Sequence, residues 1–354
     1  MVRALKLTHI YTDSIYKAYD LQVFNDTIVG HFVDSVFDPG FYFIQPLKNP
    51  AALKIIKRNI IELKNEASCS SCTTPVEQLK NGCLYFPRYG SSTIVKLCDD
   101  STAVQYLSEF KNKVFYSNRL LFLKDTVVIS SFNGIYVFNL TTEKLLWEQQ
   151  YKNGSLNNGS IGLVGKKLIY TWEIEPAQGQ IVTYITCIDL QNFTKKWQKA
   201  LPNDFIDNGQ QNNFLNRSIE ADQRQRICIS TRQQFQVIDV NTGSILFALK
   251  NDALESRLPS YFLENNRLYL TYFDKVCCFD LAGKNTVWKT PNCALLGLYK
   301  DYLICVSEDN RFFKIIDKNT GNVLNSIANP DILSDNSIRF IGKYLLINNN
   351  ALYR

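Results

Sequence analysis

The chain has 354 residues, 45% of them hydrophobic and 13% aromatic, and 39 Lys+Arg against 33 Asp+Glu leave a formal net charge of +6. That much apolar material excludes disorder as the main state, and no apolar run approaches the roughly 20 residues a membrane helix needs. The basic residues are scattered in small groups, such as Lys166 with Lys167 and Lys195 with Lys196, which argues against the focused basic stripe of a nucleic-acid groove.

In chain order, residues 3–10 form a first strand-like segment. The N-terminal residues carry no apolar signal-peptide core and no small-residue cleavage site, so a cytoplasmic location is expected. The ten cysteines are then expected to be reduced, most of them as small buried hydrophobes. A tight turn at Phe24, Asn25 and Asp26 precedes a strand over 27–33. Only two histidines occur, His9 and His31, which excludes a His-rich metal site and leaves little for Ser–His–acid catalysis; both fall in predicted strands, where a structural role is expected. A polar connection over 34–40 carries Phe37. The connection over 61–80 carries Cys69 and Cys72 at the spacing of one zinc-ligand pair. Zinc takes four ligands, often as two such pairs, and Cys83 and Cys98 fall in predicted strands. The expectation is a loop with two reduced thiols and no cofactor, with zinc on Cys69 and Cys72 as the alternative.

Further strands are predicted over 83–87, 126–130, 167–172, 226–230, 267–272, 302–307 and 344–348. Helical periodicity is nearly absent, because the apolar runs are short and break at Asn, Asp, Gly or Lys. Five eleven-residue windows align without gaps over 137–147, 187–197, 237–247, 278–288 and 315–325. A weaker sixth covers 97–107 and a degenerate seventh 43–53. Each reads as a strand, an Asp or Asn, a turn and a second strand. Asp189, Asp239, Asp280 and Asp317 are placed to accept turn N–H groups. Gly243 and Gly321 supply the positive φ of a tight turn. Trp147, Trp197, Phe247 and Trp288 close their windows with a large ring that a single hairpin cannot bury but a neighbouring one can.

This pattern resembles the docking motif of pyrroloquinoline-quinone-type and WD-like β-propeller repeats, written Ala-x-Asp-x-x-Thr-Gly-x-x-x-Trp, over residues 40 to 327. The resemblance implies an all-β chain folded as a single β-propeller domain over 1–354, made of four-stranded antiparallel blades. Eight blades of about 44 residues are favoured, with seven as the alternative. The ring is expected to close by pairing residues 3–10 with the C-terminal strand near 351–354, which removes an exposed edge. Quinone dehydrogenases that share the fold carry a vicinal disulfide. Cys277 and Cys278 are adjacent here, but alternate strand faces separate their sulfurs.

The turns predicted within windows are tight, whereas the connections over 34–40, 61–80, 151–158, 173–180, 201–213 and 328–336 are long. All the long ones are expected at one face, where a rigid scaffold would present them for binding. Phe37, Phe205 and Phe214 are the candidate apolar anchors, and Arg217 and Arg232 the candidate rim donors. No P-loop, HExxH or GxSxG motif occurs. The expected function is non-catalytic binding of another protein by a chain that is monomeric alone, such as an immunity protein that blocks a toxin. The alternative is a hydrolase, lyase or quinone oxidoreductase with its site in the central funnel.

Overall fold

The computed structural model describes residues 9–12, 20–24, 27–31, 41–46, 54–57, 78–80, 83–87, 94–97, 105–106, 119–131, 134–142, 144–150, 161–178, 180–202, 221–230, 234–250, 261–272, 274–328, 338–341, 344–347 and 351–353. Among them every regular element is a β-strand, and each sheet is an antiparallel meander. No helix of the described residues is long and apolar enough to cross a membrane. The chain divides into two compact units, residues 1–67 with 259–354, and residues 68–258.

The second unit holds a sheet of Gln78–Lys80, Cys83–Pro87, Ile94–Leu97 and Gln105–Tyr106, and one of Arg119–Leu123, Thr126–Ser131, Gly134–Asn139 and Lys144–Gln150. A third comprises Ile161–Val164, Lys167–Ala177, Gln180–Asp189 and Thr194–Pro202. The described part of a fourth has three strands, Arg226–Ser230, Gln234–Asp239 and Ile245–Lys250. The first unit holds Asp20–Phe24, Thr27–His31, Phe41–Pro46 and Lys54–Lys57 in one sheet. Tyr261–Glu264, Arg267–Tyr272, Lys275–Asp280 and Asn285–Pro291 form another. Cys293–Tyr299, Tyr302–Ser307, Phe312–Asp317 and Val323–Ala328 form a third. Its last sheet combines Ile338–Ile341, Tyr344–Ile347 and Ala351–Tyr353 with the N-terminal strand His9–Thr12.

That pairing joins the two termini, with His9 opposite Tyr353, Tyr11 opposite Leu352 and Thr12 opposite Ala351. The partner strand therefore begins at His9, near the end of the expected segment 3–10, and a bulge between His9 and Tyr11 adjusts the register. Residues 3–8 lie outside the described residues.

In the sheets whose side chains are described, the second and third strands are apolar on both faces. Val127, Val128 and Ile129 are fully buried, as are the side chains from Ile135 to Phe138 opposite them. A half-buried sheet would alternate; here each face meets a neighbouring sheet. In the second unit, Val128, Ile135 and Val137 pack with Ile161, Leu168, Tyr170 and Ile188, and Ile169, Ile185 and Cys187 pack with Ile227, Ile229, Ile238 and Val240. In the first unit, Tyr269, Val276 and Cys278 pack with Cys293, Leu295, Leu303, Cys305 and Ile316. The described fourth strands are largely exposed, with Leu145, Leu146, Ile245, Val287 and Val323 exposed on them.

The eleven-residue windows supply the turn into the fourth strand and the joint to the next sheet. Asp239 Oδ1 accepts the N–H groups of Asn241 and Thr242 at 2.9 and 2.8 Å. Asp317 Oδ1 accepts those of Asn319 and Thr320 at 2.8 and 2.9 Å. Asp189 accepts from Gln191 at 2.9 Å, and Asp280 more weakly from Ala282 and Gly283, both at 3.3 Å. Asn139 plays the same part toward Thr141 and Thr142. One residue further on, the N–H of Leu140, Leu190, Val240, Leu281 and Lys318 donates to the carbonyl of Asp125, Lys166, Gln225, Asn266 and Asp301 respectively, which ties the two turns of each sheet end together.

The closing tryptophans then dock on the following window. The Trp197 indole N–H donates to Val240 O at 2.8 Å, and that of Trp288 to Lys318 O at 3.1 Å. Each indole lies against a glycine: a Cβ on Gly243 would come to 2.6 Å from Trp197 Cδ2, and one on Gly321 to 2.7 Å from Trp288 Cδ2. Trp147 meets Phe193 instead, with ring centroids 6.3 Å apart and planes 6° from parallel. Phe193 occupies the same window position as the two glycines and has φ 56°. Phe247 is buried.

Candidate protein-binding face

In an antiparallel meander the turns after strands one and three share one end of the sheet. The turn after strand two and the exit to the next sheet share the other. At the first end the described turns between strands one and two are tight, at residues 124–125, 165–166, 265–266 and 300–301. Their first residues, Lys124, Gly165, Asn265 and Lys300, have positive φ. At the second end the described exit, from Pro291 to Cys293, is the single residue Asn292; the exits over 58–77, 107–118, 151–160, 251–260 and 329–337 lie outside the described residues.

The connection expected over 173–180 is corrected by the turn after strand two in its sheet. The described strands two and three come within two or three residues of each other at Ser131 and Gly134, Ala177 and Gln180, Ser230 and Gln234, and Tyr272 and Lys275, and 308–311 is a described four-residue turn. The predicted connection 173–180 is strand rather than loop. Lys167–Ala177 and Gln180–Asp189 stay paired from Lys167 opposite Asp189 out to Ala177 opposite Gln180, with a register shift between Ile174 and Ala177. The alternation of Trp172, Ile174, Val182 and Tyr184 with polar residues suits a ladder, and the paired β-branched and aromatic residues extend it. Likewise Pro202 ends a strand inside the expected connection 201–213, and Gln78–Lys80 forms one inside 61–80.

Two parts of this second end have described side chains. In the second unit it is the projecting hairpin. Trp172 and Tyr184 stack at its base with centroids 4.5 Å apart, and the Trp172 indole N–H donates to Thr186 Oγ1 at 3.1 Å. On the opposite face Thr183 Oγ1 donates to Glu173 Oε1 at 3.4 Å. Pro176, Ala177, Gln178 and Gln180 are exposed at the tip.

In the first unit it is the surface formed by Asp274, Asn292 and the turn from Glu308 to Phe312. The Cys293 N–H donates to Asp274 O at 3.0 Å and the Glu308 N–H to Asn292 O at 3.3 Å, while Lys314 Nζ donates to the same Asn292 carbonyl at 2.9 Å. Ser307 Oγ donates to Asp309 Oδ1 and accepts from the Phe312 N–H at 3.0 Å. Asp309 Oδ1 also accepts the Arg311 N–H at 3.1 Å. These bonds to Ser307 and Arg311 hold the Asp309 carboxyl below the usual carboxylate range. The turn is thus fixed before any partner arrives, and it presents Phe312 at 43% exposure. Phe312 is an apolar residue at this end that sequence reasoning missed, because it opens a strand whose other apolar residues are core.

The proposed anchors Phe37, Phe205 and Phe214, the rim donors Arg217 and Arg232, and the thiols Cys69 and Cys72 lie outside the described residues. Among the described residues no group of three or more His, Cys, Asp or Glu side chains is placed to hold a metal ion. The six described cysteines are buried, Cys277 and Cys278 included. Burial pushes the Cys277 thiol up to about 11 and raises that of Cys278.

No family model matches the chain, and no curated protein is similar to it in sequence. Its fold is similar to that of apo AztD from Citrobacter koseri, with a TM-score of 0.50 over 87% of this chain and 85% of that chain. The two are 9% identical, so the likeness is one of fold.

Proposed function

We propose that the chain is a single-domain β-propeller of about eight blades, closed by its terminal strands, that binds another protein through the end carrying the long connections. The repeated Trp-on-turn docking and the pairing of His9–Thr12 with Ala351–Tyr353 support the ring. The observation that carries the binding role is the difference between the two ends of the sheets. Two-residue turns recur at one end, while the exits over 58–77, 107–118 and 151–160 leave from the other. A stiff sheet presenting such segments lowers the ordering cost of association, and an exposed aromatic such as Phe312 on a preformed turn suits an interface anchor. Inhibition of one partner, as by an immunity protein, is the specific form of this reading.

The test is capture of the partner from the native cell, followed by calorimetric titration of variants. Phe312→Ala, Phe205→Ala and Phe37→Ala should weaken binding, a true anchor by about 2 kcal/mol or roughly 30-fold. Thr242→Ala and Asn319→Ala, at the opposite end, should leave it unchanged. Loss of binding in the latter pair with the former intact places the interface at the wrong end of the sheets.

A further inference from the structure

We propose that the tight-turn end of the sheet formed by Ile161–Val164, Lys167–Ala177, Gln180–Asp189 and Thr194–Pro202 is a basic platform that docks on an anionic lipid surface through Lys166, Lys167, Lys195 and Lys196. Two stretches of chain, separate in sequence, meet there: the turn from the first strand to the second and the turn into the fourth. The Leu190 N–H donates to Lys166 O at 2.9 Å and ties the two turns together. Lys166, Lys195 and Lys196 are exposed and Lys167 is half-buried. Among the described residues 165–167 and 189–196, Asp189 is the one carboxylate, and it pairs with Lys196 at 3.2 Å. Lys195 Nζ reaches a neutral amide, Gln198 Oε1, at 3.2 Å. Lys167 Nζ likewise donates to the amide oxygens of Gln225, at 3.3 Å, and Asn241.

Two other sheet ends differ. In the first unit Lys318 Nζ has Glu264 at 2.7 Å and Asp301 at 3.3 Å. In the next sheet of the second unit Arg226 is closed on Asp222, and both side chains are buried. The window positions of Lys195 and Lys196 are held elsewhere by Leu145 and Leu146, Ile245 and Leu246, or Val323 and Leu324, so the repeat itself does not require lysine there. Holding like charges together costs free energy, and a surface of opposite sign offsets it. The occupant follows from shape and from the one ring at this end. Two tied turns make a blunt end rather than a groove. Phe193 is stacked on Trp147, so its ring is not available to stack on a nucleic-acid base or to anchor a protein interface. Lysine ammoniums act as point charges that need no matched geometry. That suffices for lipid phosphates, where each lysine near the surface adds to the attraction. The hairpin of the same sheet projects from the opposite end, so docking here leaves that end to a protein partner.

The full chain is sedimented with vesicles of phosphatidylcholine alone and of phosphatidylcholine with about one-quarter phosphatidylserine. The expected result is co-sedimentation with the second and not the first, weakening as salt is raised. Lys166→Ala and Lys195→Ala should each weaken binding roughly five-fold, and Lys166→Glu combined with Lys195→Glu should abolish it. Lys275→Ala, at the second end of its own sheet, should leave it unchanged. Lys166 and Lys195 are exposed, so the variants should keep the fold, which an unchanged urea midpoint checks, and the wild-type comparison of the two vesicles needs no variant. Equal sedimentation with both vesicles, none with either, or full binding by the double variant overturns the proposal. So does tighter binding of a duplex DNA probe than of the anionic vesicles at the same salt.

Discussion

Gly243 and Gly321 are held by two constraints at once. Their φ values of 70° and 76° lie in the left-handed region, where a side chain costs about 1–2 kcal/mol. The space a Cβ would take is already filled by the indoles of Trp197 and Trp288. Gly243→Ala and Gly321→Ala should therefore each destabilise by about 2–4 kcal/mol, strain and overpacking together, read as a lower midpoint in urea unfolding. Gly165 has φ 59° but nothing near its Cβ position, so Gly165→Ala should cost only the backbone strain, about 1 kcal/mol. Asp317 differs in being tied to charge. Its bonds from Thr320 and Asn319 hold its carboxyl below the ordinary value, although burial opposes them. A depressed carboxylate contributes stability that is present above its unfolded pKa, near 4, and is lost as pH falls through the folded value. Asp317→Asn should lower the melting temperature at pH 7, and the gap to wild type should shrink as pH falls from about 5 to 3.

At the scale of the element, the joint between neighbouring sheets is a side chain seated on a turn. Trp288 reaches Lys318 O, Thr290 Oγ1 donates to Gly321 O at 2.6 Å, and Thr271 Oγ1 accepts the Leu295 N–H at 2.7 Å. Lys318 Nζ adds an ion pair to Glu264 at 2.7 Å in the neighbouring sheet. Burial alone would lower the Lys318 ammonium, but the bonds to Glu264 and Asp301 carry it above the ordinary lysine value. Trp288→Ala and Trp197→Ala should each cost about 3–5 kcal/mol, as for a large aromatic in a core. Trp288→Phe keeps most of the buried ring and loses the bond to Lys318 O, so its loss should be nearer 1 kcal/mol. Differential calorimetry on the three variants separates ring packing from hydrogen bonding. The equality expected of Trp147 with the other two is a separate matter, because Phe193 replaces the glycine and stacks on it. Phe193→Gly should destabilise, although glycine is the residue this window position otherwise favours.

For the molecule as a whole, the terminal pairing is the contact most separated in sequence. Removing residues 1–12 takes His9–Thr12 from the edge of Ala351–Tyr353 and leaves a row of unpaired backbone groups on a short strand. The truncated chain should melt at lower temperature and self-associate in sedimentation. A monomer of unchanged stability would mean that the pairing contributes nothing. The same deletion should leave the Trp197 and Trp288 docking bonds formed, since neither involves the removed strand.

The sequence by itself determined the strands, the repeat and the chemistry of its turns. Asp or Asn before a turn, glycine within it and an aromatic at its end are local requirements, met by hydrogen bonds two and three residues away, so one window of text contains their cause. What each ring rests on was decided by tertiary structure, because the acceptor of Trp197 is 43 residues on, at Val240. Phe193 and Lys284 in the glycine position, with φ 56° and 52°, read as misfits in the window. Packing and turn geometry hold them there, a conformation that propensity alone does not forecast. The hairpin from Lys167 to Asp189 read as strand, loop and strand because Pro176 and Gly179 are turn residues. Cross-strand pairing carried the ladder past the proline to Ala177, at a place where the strand has an edge to spare. The exposure of Phe312 was equally illegible. Whether an apolar residue at a strand's first position is core or surface depends on where the neighbouring sheet ends, and that is a property of the fold.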